Sequence, residues 1–103
     1  MFEVRFTATA RADLARLAGF LLDRADSVDD LQHAELAIGT VQTLVHSHLS
    51  TTPYSFRKVG RSATRRELII PFGATGYVAL YEIANPTLVL VLAVRHQREE
   101  DYH

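Results

Sequence analysis

The spacing of apolar residues changes repeatedly along this chain, and each change marks an element. Phe2, Val4 and Phe6 fall on one side of a two-residue alternation, with Glu3 and Arg5 on the other. That pattern predicts an opening strand buried on one face. Thr7 or Thr9 can then cap a helix in which Leu14, Leu17, Ala18, Leu21 and Ala25 recur at helical spacing, with Arg16 and Asp23 opposite. The break at Asp26-Ser27-Val28 carries a second start signal: Ser27 followed by Asp30 resembles a capping box with Asp in place of Glu. From there Leu31, Ala34, Ile38, Val41, Val45 and His48 step three, four, three, four, three, which is the seam of a helix lying lengthwise on another. Two such stripes joined by a short loop predict an antiparallel helical hairpin.

Thr51-Thr52-Pro53 ends the second helix, because proline cannot continue it and restricts the residue before it. The period is then two. Residues 56 to 59 form a short strand candidate, residues 61 to 65 a polar turn, and residues 67 to 72 a strand whose Pro71 argues for an edge or a bulge. Gly73-Ala74-Thr75-Gly76 supplies a hairpin turn. In residues 77 to 84 the positions Tyr77, Ala79, Tyr81 and Ile83 share a face, and Asn85-Pro86 makes the next tight turn. Residues 87 to 94 are apolar almost throughout, which predicts a central strand covered on both faces. The expected architecture is α+β in the order β-α-α-β-β-β, one domain over residues 1–103, with the antiparallel helical hairpin packed on one face of a mainly antiparallel four-stranded sheet.

Composition narrows the chemistry. The 103 residues suffice for one core but not two, and the chain has no cysteine, so disulfides, thiol nucleophiles and Cys-ligated zinc are excluded. No run approaches the ~20 apolar residues that span a bilayer, and the alternating start lacks the basic and apolar regions of a secretory signal. The expected setting is cytoplasmic, without a membrane partner. Net charge is −1, but through Thr52 four Arg/Lys face seven Asp/Glu, and from Pro53 onward seven face five. The second half is therefore mildly basic, well short of the footprint of a nucleic-acid binder.

Five histidines invite a metal, yet His46 and His48 are two apart on a helix and His33 lies more than three turns earlier, so the i, i+3 or i, i+4 ligand spacing is missing. No glycine-rich loop joins a strand to a helix, and no serine stands in a nucleophile elbow. Neither metal nor cofactor is expected. What remains is a basic set, Arg57, Lys58, Arg61, Arg65 and Arg66 around the first hairpin and Arg95, His96 and Arg98 after the last strand. At neighbouring strand ends these cations could converge on a phosphate or carboxylate-bearing surface. The alternative is that they pair with Glu67, Glu82, Glu99, Glu100 and Asp101. The C-terminal string Val94-Arg95-His96-Gln97-Arg98-Glu99-Glu100-Asp101-Tyr102-His103 leaves the most apolar strand and is the first candidate for function.

The order Val4-Arg5-Phe6-Thr7-Ala8-Thr9-Ala10, a helix with Asp13-Leu14, a helical hairpin, Pro53, Arg66-Glu67-Leu68, Tyr77-Val78-Ala79-Leu80-Tyr81 and the Arg-His-Gln-Arg-Glu ending resembles the RelE/ParE superfamily of type II toxin–antitoxin toxins. The resemblance spans nearly the whole chain. It implies a cognate antitoxin, ParD-like or related, forming a hetero-oligomer with the toxin and laying apolar side chains along the hairpin, where Leu14, Leu17, Leu21, Ile38, Val41 and Val45 are the candidate contacts.

The superfamily contains two activities. Its ribosome-dependent messenger-RNA endoribonucleases carry an arginine after the tyrosine that opens the penultimate strand, a position held here by Val78, and commonly a basic residue near Gln97. A nuclease could still draw on Arg66, His96, Arg98 and Tyr102, the only case in which direct nucleic-acid binding is expected. Losing a cation that stabilises a transition state costs on the order of a hundredfold. The ending resembles the ParE branch more closely, which implies poisoning of DNA gyrase by protein contact, growth arrest and no catalytic residue. The target-facing candidates are then Arg95, His96, Arg98 and Tyr102, with Arg57, Arg65 and Arg66 behind them. A third possibility is an inactive binding module of the same fold.

Overall fold

The structure, a computed structural model, describes residues 1–73, 75–99 and 101–102. The chain opens with strand β1 (Glu3–Phe6), followed by helices α1 (Ala8–Asp23) and α2 (Val28–Thr51), a 3-10 turn over Pro53–Ser55, and strands β2 (Arg57–Lys58), β3 (Arg65–Phe72), β4 (Thr75–Asn85) and β5 (Leu88–His96). The strands form one sheet in the order β1-β5-β4-β3-β2. β1 lies parallel to β5, and the other pairings are antiparallel. The expected α+β layering is therefore present, with five strands instead of four because Arg57 and Lys58 pair with Glu67 and Arg66. No helix of the described residues is long and apolar enough to cross a membrane.

Local signals start each helix. Thr7, in extended backbone, accepts from the Ala10 N–H, and Ser27 accepts from the Asp30 N–H. The Asp30 carboxylate reaches back to the Asp26 N–H at 3.0 Å, one residue before the cap, instead of closing the expected box on Ser27. The Tyr81 hydroxyl donates to the Pro53 carbonyl at 2.5 Å, tying the end of the hairpin to the sheet.

The helices cover one face only, and the core lies between them and the sheet. It contains Ala10, Leu14 and Leu17 of α1, Val41, Val45 and Leu49 of α2, and Leu68, Ile70, Tyr77, Ala79, Tyr81, Ile83, Val89, Val91 and Val94 of the sheet. Two expected seam residues are exposed: Leu31 at 44%, and His48 with its ring edge on Phe56. β5 is central between β1 and β4 but is not covered on both faces as expected. Leu88, Leu90 and Leu92 are only half-buried because no second layer of helices lies on that side.

The inward positions of β5 are Val89, Val91 and Val94, a spacing that breaks the two-residue period. Leu80 opposes Ala93 while Tyr81 opposes Val91, so Leu92 is an extra residue, a bulge that resets the side-chain alternation. β1 has already ended at this level, with Thr7 N–H donating to Val91 O at 3.0 Å. The groups beyond are met by α1: the Thr7 hydroxyl donates to Leu92 O at 3.2 Å, and the Asp13 carboxylate, 3% exposed, accepts the Val94 N–H at 2.9 Å.

Pro71 sits in β3 where β2 no longer runs beside it, so its missing N–H removes no ladder bond. Phe72 opposes Thr75, which makes the connection a tight hairpin with Gly73 at φ 61°; Ala74 of the expected turn lies outside the described residues. At Gly76 a Cβ would lie 2.5 Å from Ile70 O, so the close approach of β3 to β4 needs glycine there.

Replacing Asp13 by Ala strands the buried Val94 N–H and should lower unfolding free energy by about 1–3 kcal/mol in a urea titration, with Asp13→Asn, which keeps an acceptor, losing less. Burial raises the Tyr81 phenol to about 12, with Arg66 opposing the rise. Its neutral form is thus favoured by the fold. That stability is present below pH 10 and lost as pH rises from 10 through 12, so the alkaline decline should be shallower in Tyr81→Phe, in circular-dichroism melts at stepped pH.

Candidate functional site

Strand alternation divides the C-terminal candidates between two faces of the sheet. Val94 points into the core, Arg95 to the face away from the helices, and His96 back to the helix side. The site therefore has a far-face half around Arg95 and Tyr102 and a helix-side half around His96 and Arg98.

On the far face the tail folds around the Arg95 guanidinium. Its Nη1 donates to the Glu99 carbonyl at 2.6 Å, with longer contacts to His96 O at 3.3 Å and Gln97 O at 3.4 Å. The group lies 5.1 Å from the Tyr102 ring centroid, within cation–π range. Its Nε is buried without a hydrogen-bond partner among the described residues. Tyr102 then donates to Glu67 Oε2 at 2.5 Å. Arg95 opposes Val78, and Glu67 opposes Leu80, so the tyrosine bridges β5 to β3 across β4. Val78 is consequently 2% exposed although its side chain faces away from the core. Burial, reinforced by the bond to Glu67, pushes the Tyr102 phenol far above its ordinary value, with Arg95 opposing.

Among the described residues, the link from the first-hairpin cations to the Arg95 cluster runs through Glu67, whose carboxylate holds Arg57 and accepts from Tyr102. Arg57 is paired with Glu67 at 2.8 Å and Arg65 with Glu82 at 3.1 Å. Arg65 lies opposite Glu82 and Arg95 opposite Val78, four residues apart on β4, or roughly 13 Å of strand. Arg66 turns to the helix side of the sheet, opposite Tyr81. It sits at 9% exposure on the core side, donating to Tyr54 O at 2.9 Å, Phe56 O at 2.8 Å and Ala63 O at 3.1 Å. Strand alternation turns it inward between two outward neighbours, and its fork closes the loop before β3.

On the helix side His96 uses both ring nitrogens. Nδ1 accepts the Arg98 N–H at 3.1 Å, so the neutral ring carries its hydrogen on Nε2 and donates to Thr75 Oγ1 at 2.9 Å. The ring packs edge-on against Tyr77 at 5.4 Å. Glu99 closes the turn: its Oε1 accepts the His96 N–H at 3.0 Å and Arg16 Nη1 at 3.2 Å. Between this turn and α1 runs a groove of about 500 Å³ lined by Arg16, Leu17, Phe20, Leu21, Tyr77, His96, Arg98 and Glu99. Glu100 and His103 lie outside the described residues.

Among the expected hairpin contacts, Leu14, Leu17, Val41 and Val45 are at most 4% exposed. Their stripe packs on the sheet, and Leu17 also lines the groove beside α1. Leu21 and Ile38 keep partial exposure. The large apolar residues that the hairpin does expose are Phe20, Leu22, Val28, Leu31 and Leu36.

Sequence reasoning treated Glu67 and Glu99 only as counter-ions, whereas each is the hub of one half-site. The Arg16-Phe20-Arg24 spacing was the available signal for the groove wall, since i, i+4 neighbours share a helix flank, and Arg24 does stack 3.8 Å over Phe20.

The sequence matches the family model of the ParE toxin of the type II toxin–antitoxin system parDE over residues 4–101. Toxin RelE3 of Caulobacter vibrioides is 34% identical over 100 residues, covering 96% of this chain and 98% of the relative. In fold, the chain resembles a solved structure of the chromosomal ParDE TA system from P. aeruginosa with a TM-score of 0.70, over 93% of this chain and 96% of that one, at 14% identity.

Arg66→Ala should cost about 2–4 kcal/mol in urea titration, because it leaves inward-facing carbonyls unpaired. Arg57→Ala, which breaks an exposed pair, should cost under about 1 kcal/mol.

Proposed function

The chain belongs to the ParE toxin family of type II toxin–antitoxin systems, and from that premise we propose that it poisons DNA gyrase by protein contact through its C-terminal tail, arresting growth until its antitoxin neutralises it. The observation that carries this reading is the state of the charged groups on the far face. Arg57 and Arg65 are paired within the chain, and Arg95 is enclosed by its own tail. A surface whose cations are paired or enclosed attracts a polyanion weakly, since nucleic-acid affinity comes chiefly from cations that replace counterions on phosphates. A surface of guanidinium, tyrosine and half-buried aliphatic side chains suits a protein partner, where aromatic and arginine residues dominate contact energy.

The candidate acid/base groups point the same way. RNA cleavage through a 2′-hydroxyl needs a base and an acid near one phosphate. Here His96 is committed to Thr75 and Arg98 on the helix side, while Tyr102 donates to Glu67 on the other face and holds its proton more tightly than an ordinary phenol. Of the two arginines of a nuclease set, Arg66 braces a loop and Arg98 lines the helix-side groove with His96, on the face opposite Tyr102. The name of the Caulobacter relative favours messenger-RNA cleavage as a second reading. That reading would require His96 and Tyr102 to leave their present partners.

Purified, antitoxin-free protein incubated with gyrase, ATP and relaxed plasmid should block supercoiling and accumulate linear, cleaved DNA. A chain ending at Gln97 keeps all of β5, so it should fold and lose the effect at least tenfold. Undisturbed supercoiling by a folded full-length sample would overturn the gyrase reading in favour of the translating ribosome. A truncated chain as potent as the full one would remove the tail from the mechanism.

A further inference from the structure

On the far face the Glu67 carboxylate is bonded from two directions. Its side chain is only 14% exposed, and Oε1 takes Arg57 Nε at 3.0 Å and Nη2 at 2.8 Å, while Oε2 accepts the Tyr102 hydroxyl. Arg57 comes from β2 at the edge of the sheet, and Tyr102 from the tail that leaves β5 beyond β4. A carboxylate that only balanced Arg57 would need one oxygen, and here the second holds the tail. Arg95 gathers the tail on itself, through the Glu99 carbonyl and the Tyr102 ring. Among the described residues, the hydrogen bond to Glu67 is the one that ties the Tyr102 side chain to the body of the sheet. A tail ordered before it meets its target loses less freedom on binding, so a bond that fixes its end strengthens target contact without touching the target.

We propose that Glu67 is the positioning residue of the target-facing tail, and that Arg57 contributes to target contact only by holding Glu67. The proposal rests on the tail being the effector, as read above, and not on gyrase being its target. Two bonds in series set where the Tyr102 ring lies. The Arg57 fork fixes the direction of the carboxylate, and the carboxylate fixes the phenol. The ring so held stands 5.1 Å from the Arg95 guanidinium, which completes the far-face cluster. Burial and Glu67 keep the phenol protonated, so Tyr102 is the donor and Glu67 the acceptor. The seat therefore requires an acceptor oxygen at 67 and a hydroxyl at 102. Glutamine at 67 keeps the oxygen, leucine keeps only the bulk, and phenylalanine at 102 keeps the ring without the hydroxyl.

The test follows the isolated, isotopically labelled full chain by NMR and, in parallel, the amount of induced chain per cell that halves the growth rate. In the unaltered chain the Tyr102 amide should be as rigid as the amides of β5. Glu67→Leu and Tyr102→Phe should each leave it mobile on the nanosecond timescale while the sheet amides stay rigid. Each should raise the amount needed for growth arrest about tenfold, the scale of one hydrogen bond to a charged group, and the double variant should raise it no further. Glu67→Gln should keep the tail rigid and toxicity within about threefold of the unaltered chain. Arg57→Ala should weaken toxicity in the unaltered background and not in Glu67→Leu. Should Glu67→Leu fail to fold, Tyr102→Phe, near the end of the chain, carries the same comparison. A rigid Tyr102 amide in Tyr102→Phe or Glu67→Leu, undiminished toxicity of either, an undiminished effect of Arg57→Ala without Glu67, or an unaltered chain that arrests no growth would each overturn the proposal. Growth arrest with undisturbed supercoiling would sink the gyrase reading alone and leave this one standing.

Discussion

The fold depends on how β5 is finished beyond Val91. Up to that residue the strand is flanked by β1 and β4, and its amides and carbonyls are consumed by the two ladders. Beyond it the chain on the β1 side has turned into α1, and a central strand would be left with buried polar groups lacking partners, at about 1–3 kcal/mol each. Thr7 and Asp13 remove that cost. Thr7 acts three times, donating its N–H to Val91, donating its hydroxyl to Leu92, and accepting from Ala10 to start the helix. The same contacts fix the angle at which α1 crosses the sheet, which sets the width of the groove beside the C-terminal turn.

The bulge at Leu92 has a functional consequence. With strict alternation from Val91, Ala93 and Arg95 would face the helices and Val94 would face away. The extra residue inverts this, so Val94 fills the core and Arg95 emerges on the open face, where the tail can wrap it. One irregular residue in β5 therefore decides which surface carries the arginine and which carries His96. It also explains why a contiguous string of polar residues in the sequence becomes two half-sites back to back.

Much of the architecture was legible because period and punctuation agree with the fold. The β1 alternation, the caps at Thr7 and Ser27, the stop at Pro53 and the inward face Tyr77-Ala79-Tyr81-Ile83 all follow from local rules that packing reinforces. The bulge was not legible, since every residue from Leu88 to Val94 is apolar and no alternation exists to be broken. The inward turn of Arg66 was hidden for a related reason. Arg65, Arg66 and Glu67 are all charged, so hydropathy cannot show which of them faces the core. In the hairpin, the most regular apolar positions are those its own core has used, while less regular ones such as Phe20 and Leu36 are left exposed.

Charge placement links the two half-sites to the kind of partner each can take. On the far face Arg57 and Arg65 are held in short pairs with Glu67 and Glu82, and Arg95 lies under its own tail beside half-buried leucines. The tail over this face is anchored by its phenol to Glu67. The helix side has the reverse character, with Arg98 uncommitted among the described residues and Arg16 shared with Glu99. Among the described residues, the sheet thus carries paired arginines on one side and a groove lined by two arginines and one glutamate on the other. Glu99 stands where the two meet, with its carboxylate oriented toward the groove and its carbonyl toward Arg95.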